Sequence, residues 1–242
     1  MRCLLLRRLA SKGGVYYKQK NKAIIDDGCN PELVTGAEFV LPLGIPIIKA
    51  PSKIIVPPGI TPFSMRERAP SFEEAVGFHE MDVNFADVLR NPEKYIDDFA
   101  RFAALISPDC SLYRDAPLSV QLTNVYRNRA IGSYYQRRGQ YVIPQIRWGN
   151  EYTYTTKYFP ERIAFLGAER HSILAVGTYG CFNGRENKYH FDAGIDAMME
   201  TLEPKIVLVY GSMPEKELGP YMKYAKFVQY LDWTSRMHRG KD

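Results

Sequence analysis

Long hydrophobic runs are missing from this 242-residue chain: charge, proline or glycine interrupts every apolar stretch within roughly ten positions, which excludes a membrane-spanning helix. Cysteine is scarce. Its four copies, Cys3, Cys29, Cys110 and Cys181, stand singly, so neither a disulfide framework nor a C-x-x-C metal or redox pair is expected, and a reducing, cytoplasmic compartment follows. The four histidines have no paired spacing either, which argues against a structural zinc site. There is no G-x-x-x-x-G-K-[ST] loop and no G-x-G-x-x-G between a strand and a helix, so no nucleotide-cofactor motif is present. Ser212 in VYGSMP lacks the second glycine of a nucleophile elbow. In HEMD, His79, Glu80 and Asp82 offer metal-ligand types, but Val83 stands where the second histidine of H-E-x-x-H belongs. No metal ligands are assigned, and a divalent-metal requirement is left open. Read as a strand, VGFHEMD turns His79 and Met81 to one face and Glu80 and Asp82 to the other.

Acidic residues are absent from the first 22 positions, which carry seven basic ones; the other 220 residues hold 25 basic and 27 acidic. The net charge of +5 therefore belongs to a basic N-terminal arm, residues 1–22, able to touch a phosphate backbone or simply to be solvated. The apolar run Leu4 to Leu6 is too short for a secretory signal. With 45% hydrophobic and 24% charged residues, positions 23–242 have the balance of one globular α/β domain.

Short apolar runs are what the chain does have. EFVLPLGIPIIKAPSKIIVPPG reads as short strands and turns cut by five prolines. AALISPD, YVIPQIRWG, SILAVGTYG, KIVLVYGS and FVQYLD read as strands buried on both faces, the signature of a parallel sheet. Helical spacing predicts helices over Asn91 to Phe102, Pro117 to Arg138 and Phe191 to Leu202. Repeated strand–helix–strand units suggest a barrel-like α/β domain of roughly eight short, mainly parallel strands with helices outside; an open doubly wound sheet is the alternative.

In either architecture a site forms where strands end in polar residues. Asp109 follows one apolar run, with Arg114 five residues on: a carboxylate to accept a proton or attack, and a guanidinium to grip phosphate or carboxylate. Arg147, Trp148 and Glu151 follow another run, a fork donor, an aromatic face and a second carboxylate suited to a planar ligand. Thr178, and Tyr210 with Ser212, end two more. In NVYRNRAIGSYYQRR, Arg127, Arg129, Arg137 and Arg138 interleave with Tyr126, Tyr134 and Tyr135, the mixture that holds nucleic acid or faces solvent.

The stretch ISPDCSLYRDAPLSVQLTNVYRNRAIGSYYQRRGQYVIPQIRWGNE, followed by AVGTYGC and PKIVLVYGS, resembles an uncharacterised domain-of-unknown-function family, number 4417, of bacteria, phages and mobile elements. The likeness runs from about Gly77 to Tyr230, and the basic arm before about Ala37 departs from the expected pattern. The resemblance brings no mechanism. It marks Asp109, Ser111, Arg114, Asn124, Arg127, Arg129, Arg147, Trp148, Glu151, Tyr210 and Gly211, and implies a bacterial cell, with a phage as one source. The order of an aspartate, an I-P-x-x-x-x-G and an A-V-G-T at successive strand ends is also similar in layout to barrel enzymes that exchange guanine in nucleic acid; such a likeness transfers no function by itself.

Two expectations follow. One is an enzyme of hydrolase or base- or glycosyl-transfer type on a nucleotide or nucleic acid, with Asp109 and Glu151 catalytic, and Ser111, Arg114, Asn124, Arg127, Arg147, Trp148, Thr178 and Tyr210 binding substrate. The other is a non-catalytic factor that binds nucleic acid or protein through the arm and the arginine helix.

Overall fold

The computed structural model describes residues 30–239. The basic arm lies outside them, as do Cys3 and Cys29. The chain forms an α/β structure built on parallel strands. It begins with an antiparallel hairpin of β1 (Phe39–Val40) and β2 (Ile45–Pro46). Four parallel strands follow in chain order: β3 (Ile60–Pro62), β4 (Ala75–Gly77), β5 (Ala104–Ile106) and β6 (Val142–Ile143). Three more follow: β7 (Ile173–Gly177), β8 (Ile206–Tyr210) and β9 (Lys226–Tyr230).

The groups join at a parallel bridge of Gln145 to Ala175, where Ile146 N–H donates to the Ala175 carbonyl (2.8 Å) and Ala175 N–H to that of Pro144 (3.0 Å). Strand order therefore follows chain order from β3 to β9 with no reversal. A doubly wound sheet has a reversal point; this one does not. Nine strands are described, seven of them parallel, against roughly eight, mainly parallel, expected.

Side chains alternate across each strand. One face contributes Ile60, Ala75, Ile106, Ile143, Ala175, Leu208 and Tyr230 to a single buried cluster that draws on all seven strands. The opposite face packs on helices in two separate clusters. β4, β5 and β6 meet an aromatic layer containing Phe63, Phe78, Phe85, Phe99 and Tyr135. β7, β8 and β9 meet a mainly aliphatic one containing Leu174, Val207, Ile195 and Met198.

At the outer strands, no backbone hydrogen bond links β9 to β3 among the described residues. The Tyr230 hydroxyl instead donates to the Pro57 carbonyl (2.6 Å), and Arg236 in the C-terminal helix grips buried Glu74 through both nitrogens (2.9 and 2.6 Å).

Several predicted elements shift. The VGFHEMD strand stops at Gly77, and Asp82 opens helix α1 (Asp82–Arg90), so His79 and Asp82 do not share a pleated strand. Asn91 to Phe102 divides into a 3-10 turn, Pro92–Tyr95, and helix α2 (Ile96–Ala100). Helix α3 (Leu118–Gln136) lies within its predicted span, one residue shorter at the start and two at the end: Pro117 presets its start, and Gly139 (φ +89°) supplies the left-handed exit. Glu151 to Tyr154 forms one helical turn, α4, capped by the Asn150 side chain. Helix α5 (Arg185–Leu202) begins six residues before the expected Phe191, because Gly184 (φ +85°) turns the chain into it. The short α6 (Glu215–Leu218) and α7 (Trp233–Arg239) complete the order.

The largest correction falls on the arginine helix. Arg129 is 1% exposed and holds the carbonyls of Leu166 (2.8 Å), Gln145 (2.8 Å) and Ala164 (3.2 Å) together with Asn128 Oδ1. Tyr134 and Tyr135 lie in the aromatic layer, Arg138 stacks on Tyr134, and Arg137 holds the Leu33 carbonyl (2.7 Å). Packing and main-chain capture thus use most of the groups read as a nucleic-acid grip. Among the described residues no helix is long and apolar enough to cross a membrane.

Candidate active site at the strand ends

Every parallel strand runs toward the same edge, so the residues just after β4, β5, β6, β7 and β8 gather there. Asp109 follows β5 and is 7% exposed; its Oδ2 accepts from Arg147 Nη1, which follows β6, at 2.9 Å. The nearby carboxylate raises the Arg147 pKa further against the opposing effect of burial, so the guanidinium stays charged. Gly177, ending β7, lets His79 and Asp109 approach: a Cβ there would sit 2.9 Å from the His79 ring and 3.2 Å from Asp109 Oδ2.

His79, two residues past β4, is the functional candidate that sequence reasoning missed, having weighed it only as a metal ligand. Its ring stacks on Tyr210 with centroids 4.3 Å apart. Gln145 fixes its tautomer. With the amide oxygen accepting from Gly177 N–H (3.1 Å), the amide nitrogen donates to the Ala175 carbonyl (3.2 Å) and to His79 Nε2 (3.1 Å). Nε2 is then an acceptor and Nδ1 carries the proton. Nδ1 is buried without a hydrogen-bond partner among the described residues. Burial lowers the His79 pKa more than Asp109 raises it, which keeps the ring neutral. The signal was its place after a strand, beside a run ending in Asp109.

Beneath this edge lies a buried polar layer. Ser107 Oγ donates to Asn128 Oδ1 (2.9 Å), Asn128 Nδ2 donates to the Pro108 and Gln145 carbonyls, and Arg129 clamps Gln145 from behind. These bonds hold the ends of β5 and β6 at fixed height, and with them Asp109 and Gln145.

The predicted binding residues separate by role. Ser111 is tied to Asp82 through both its N–H (3.1 Å) and its hydroxyl (2.8 Å). Asn124 Nδ2 holds the Ser111 carbonyl (2.6 Å), and Arg127 Nη1 donates to Asn124 Oδ1 (3.1 Å). The three shape the loop after β5. Thr178 Oγ1 donates to the Ser212 carbonyl (2.8 Å), which ties the ends of β7 and β8. Tyr210 backs His79, and burial pushes its hydroxyl up to about 12 while that oxygen accepts from Trp233 N–H (3.0 Å).

Beside the Asp109–Arg147 pair opens a cavity of about 350 Å³. Arg114, Arg147 and Trp148 line it, over an apolar floor of Leu112, Ile146, Val176 and Phe191. Trp148 is also a packing residue: Nε1 donates to the His190 carbonyl (2.9 Å) and the ring lies against Gly194 and Phe191. Cys181 borders the same cavity, but burial raises its pKa more than Arg147 lowers it, the opposite of an activated thiolate. Glu151 is not brought here. It lines a separate depression with Tyr154, Lys157, Arg162 and Tyr189. Among the described residues no group of three or more His, Cys, Asp or Glu is placed to hold a metal ion.

A parallel α/β sheet with a charged pair at its carboxyl edge defines a class of architecture; sequence comparison supplies the family. Residues 37–231 match the Domain of unknown function (DUF4417) family, and the chain belongs to it. Two phage proteins are similar to it. One is the "Gene 1 protein" of Mycobacterium phage D29, 28% identical over 161 residues, 65% of this chain and 57% of that protein. The other is the "Gene 1 protein" of Mycobacterium phage L5, 29% identical over 139 residues, 57% of this chain and 58% of that protein. The chain thus spans a little over half the length of the curated relatives it matches. No solved structure matches it.

Proposed function

We propose that this phage-related protein is an enzyme working at the carboxyl edge of its sheet on a nucleotide-class substrate, in a reaction of hydrolase or base- or glycosyl-transfer type. One observation carries the reading: three successive strand ends bring His79, Asp109 and Arg147 to one edge, His79 and Asp109 meeting at Gly177 and Arg147 paired to Asp109, next to a cavity of small-ligand size. Asp109 is the base or nucleophile, held in place by its ion pair with Arg147. Neutral His79, oriented by Gln145 and Tyr210 and meeting Asp109 at Gly177, is a positioning residue, its Nδ1 buried away from the cavity lining. Glu151 is left out of this chemistry, because it faces the other depression.

The same reading takes residues 23–242 as one domain whose sheet is an incomplete barrel. The interior cluster shared by all seven strands supports that, as do the Tyr230 and Arg236 contacts across the outer strands. It places the protein in the cytoplasm of the phage's bacterial host.

The test is incubation of the purified chain with nucleotides and short oligonucleotides, with products read by mass spectrometry. Loss of an acid–base or nucleophilic group costs about 10²-fold or more in rate. Asp109→Asn should therefore abolish turnover while leaving the melting temperature within a few degrees of the wild type. Undiminished turnover by a folded Asp109→Asn protein overturns the assignment.

A further inference from the structure

The cavity beside Asp109 has a second arginine whose position is unresolved energetically. Arg114 Nη1 is buried and makes no hydrogen bond among the described residues. It lies 3.1 Å from Glu186 Oε2, close enough for attraction but outside hydrogen-bond geometry. Glu186 is 72% exposed, so water screens its pull on Arg114 and solvates the carboxylate well without it. A buried guanidinium nitrogen left unbonded is costly, and an anion with several acceptor oxygens relieves that cost better than this carboxylate does.

Three other features converge on the same space. Arg147 lines the cavity while its Nη1 holds Asp109. Helix α5, 18 residues long, starts at the cavity wall, where Asn187 is a lining residue, and Gly184 gives it no side-chain cap. The loop leading into it carries Gly180 (φ +74°) and Gly184 (φ +85°), with open space where each Cβ would be. Uncapped N–H groups and the positive end of the helix dipole add to the arginines there. The floor is the reverse in character, apolar and partly aromatic, with Phe191 and Trp148 beside Leu112 and Val176.

We infer that the cavity is a nucleoside monophosphate site: the phosphate sits between Arg114, Arg147 and the start of α5, displacing Glu186 from Arg114, and the base lies on the apolar floor. This rests on the catalytic reading for its biological meaning, but not for its test. Asp115 and Glu186 at the rim disfavour a second bound anion, which sets the preference for one phosphate over a polyphosphate chain.

Cys181 borders the cavity and provides a readout independent of turnover. The full chain is treated with iodoacetamide, and alkylation of Cys181 is followed by peptide mass spectrometry in the presence of inorganic phosphate, nucleosides or nucleoside 5′-monophosphates. The monophosphates should slow Cys181 alkylation, nucleosides should not, and inorganic phosphate should protect only at higher concentration. Isothermal titration should give about tenfold weaker monophosphate binding for Arg114→Gln, partial recovery for Arg114→Lys, and about threefold tighter binding for Glu186→Gln. Equal protection by nucleosides and monophosphates, or unchanged affinity in a folded Arg114→Gln protein, overturns the phosphate site. Monophosphate binding without turnover of any nucleotide would leave this site standing and remove the catalytic reading. Asp109-dependent turnover with no binding at Arg114 would do the reverse.

Discussion

The two halves of the sheet solve the same burial problem differently. In β3 to β6 the strands are two or three residues long, and stability comes from rings: Phe63, Phe78, Phe85, Phe99, Tyr95 and Tyr135 touch one another in stacked and edge-on pairs. In β7 to β9 each strand has five paired residues in unbroken register, and the cover is mainly aliphatic, with Tyr154, Phe165 and Phe191 its buried rings. Ladder hydrogen bonds hold the second half in place; side-chain packing holds the first. The candidate site sits at the junction, where β6 gives way to β7 through one bridge at Gln145. A junction needs rigid support if charged groups on both sides are to keep their spacing, and the buried Ser107–Asn128–Arg129 layer supplies it.

Removing that support should have the largest effect. Arg129→Ala leaves the Leu166 and Ala164 carbonyls without their guanidinium donors and the Gln145 carbonyl with Asn128 alone, each lost charge-assisted bond costing about 1.5 kcal/mol or more, so urea unfolding should show a loss of about 3 to 5 kcal/mol. Burial holds the Arg129 pKa down to about 10, still charged at neutral pH, so Arg129→Lys keeps the charge but loses the fork that spans the junction. It should recover little. If Arg129→Ala unfolds like the wild type, the halves are held together by something other than this clamp.

The outer strands come next. Burial pushes the Glu74 pKa up, but the Arg236 and Thr61 hydrogen bonds outweigh it, and the net value lies below that of an ordinary glutamate. A group depressed on folding stabilises above its unfolded value, near 4.3, and loses that contribution as pH falls through its folded value. Arg236→Ala should therefore cost about 2 kcal/mol at neutral pH, a figure kept modest by the 30% exposure of the Arg236 side chain, and the cost should shrink below about pH 4. Thermal melts of both proteins across pH 3 to 7 check this. A constant difference across that range would mean that Glu74 is not the group involved.

The smallest effect sharpens the contrast within the second half. A Cβ on Gly194 would overlap the Trp148 indole, so Gly194→Ala should cost about 1 to 3 kcal/mol by overpacking and push the ring toward the cavity. In a Trp233→Phe background, Trp148 emission should shift to the red; an unmoved spectrum would mean that α5 has shifted instead.

How much of this was legible in the chain follows the same division. The five runs read as buried strands, from AALISPD to FVQYLD, fall on β5 to β9, although β9 begins one residue earlier, at Lys226, and is not buried on both faces, with Lys226 and Gln229 exposed. Residues 118 to 136 showed their helix through Pro117 and Gly139. Helix α1 was missed because only Phe85 and Val88 of its nine residues are buried, too few to set a helical period. Asp109, Arg147 and Tyr210 could be placed at strand ends from their position after apolar runs. Glu151 could not be placed, because a single helical turn capped by Asn150 carries it to another surface.

By itself, then, the sequence determined the parallel strands and their carboxyl-end polar residues, because local alternation and chain direction are written residue by residue. The tertiary structure alone decided which of those residues meet. Whether Arg129 faces water or three carbonyls depends on segments 16 to 37 positions away, and whether His79 is a solvated strand end or a neutral ring held between Tyr210 and Gln145 depends on strands 66 and 131 positions later. Burial and pairing are properties of the assembled sheet, and they convert a scatter of polar residues into one charged pair, one neutral histidine and one cavity.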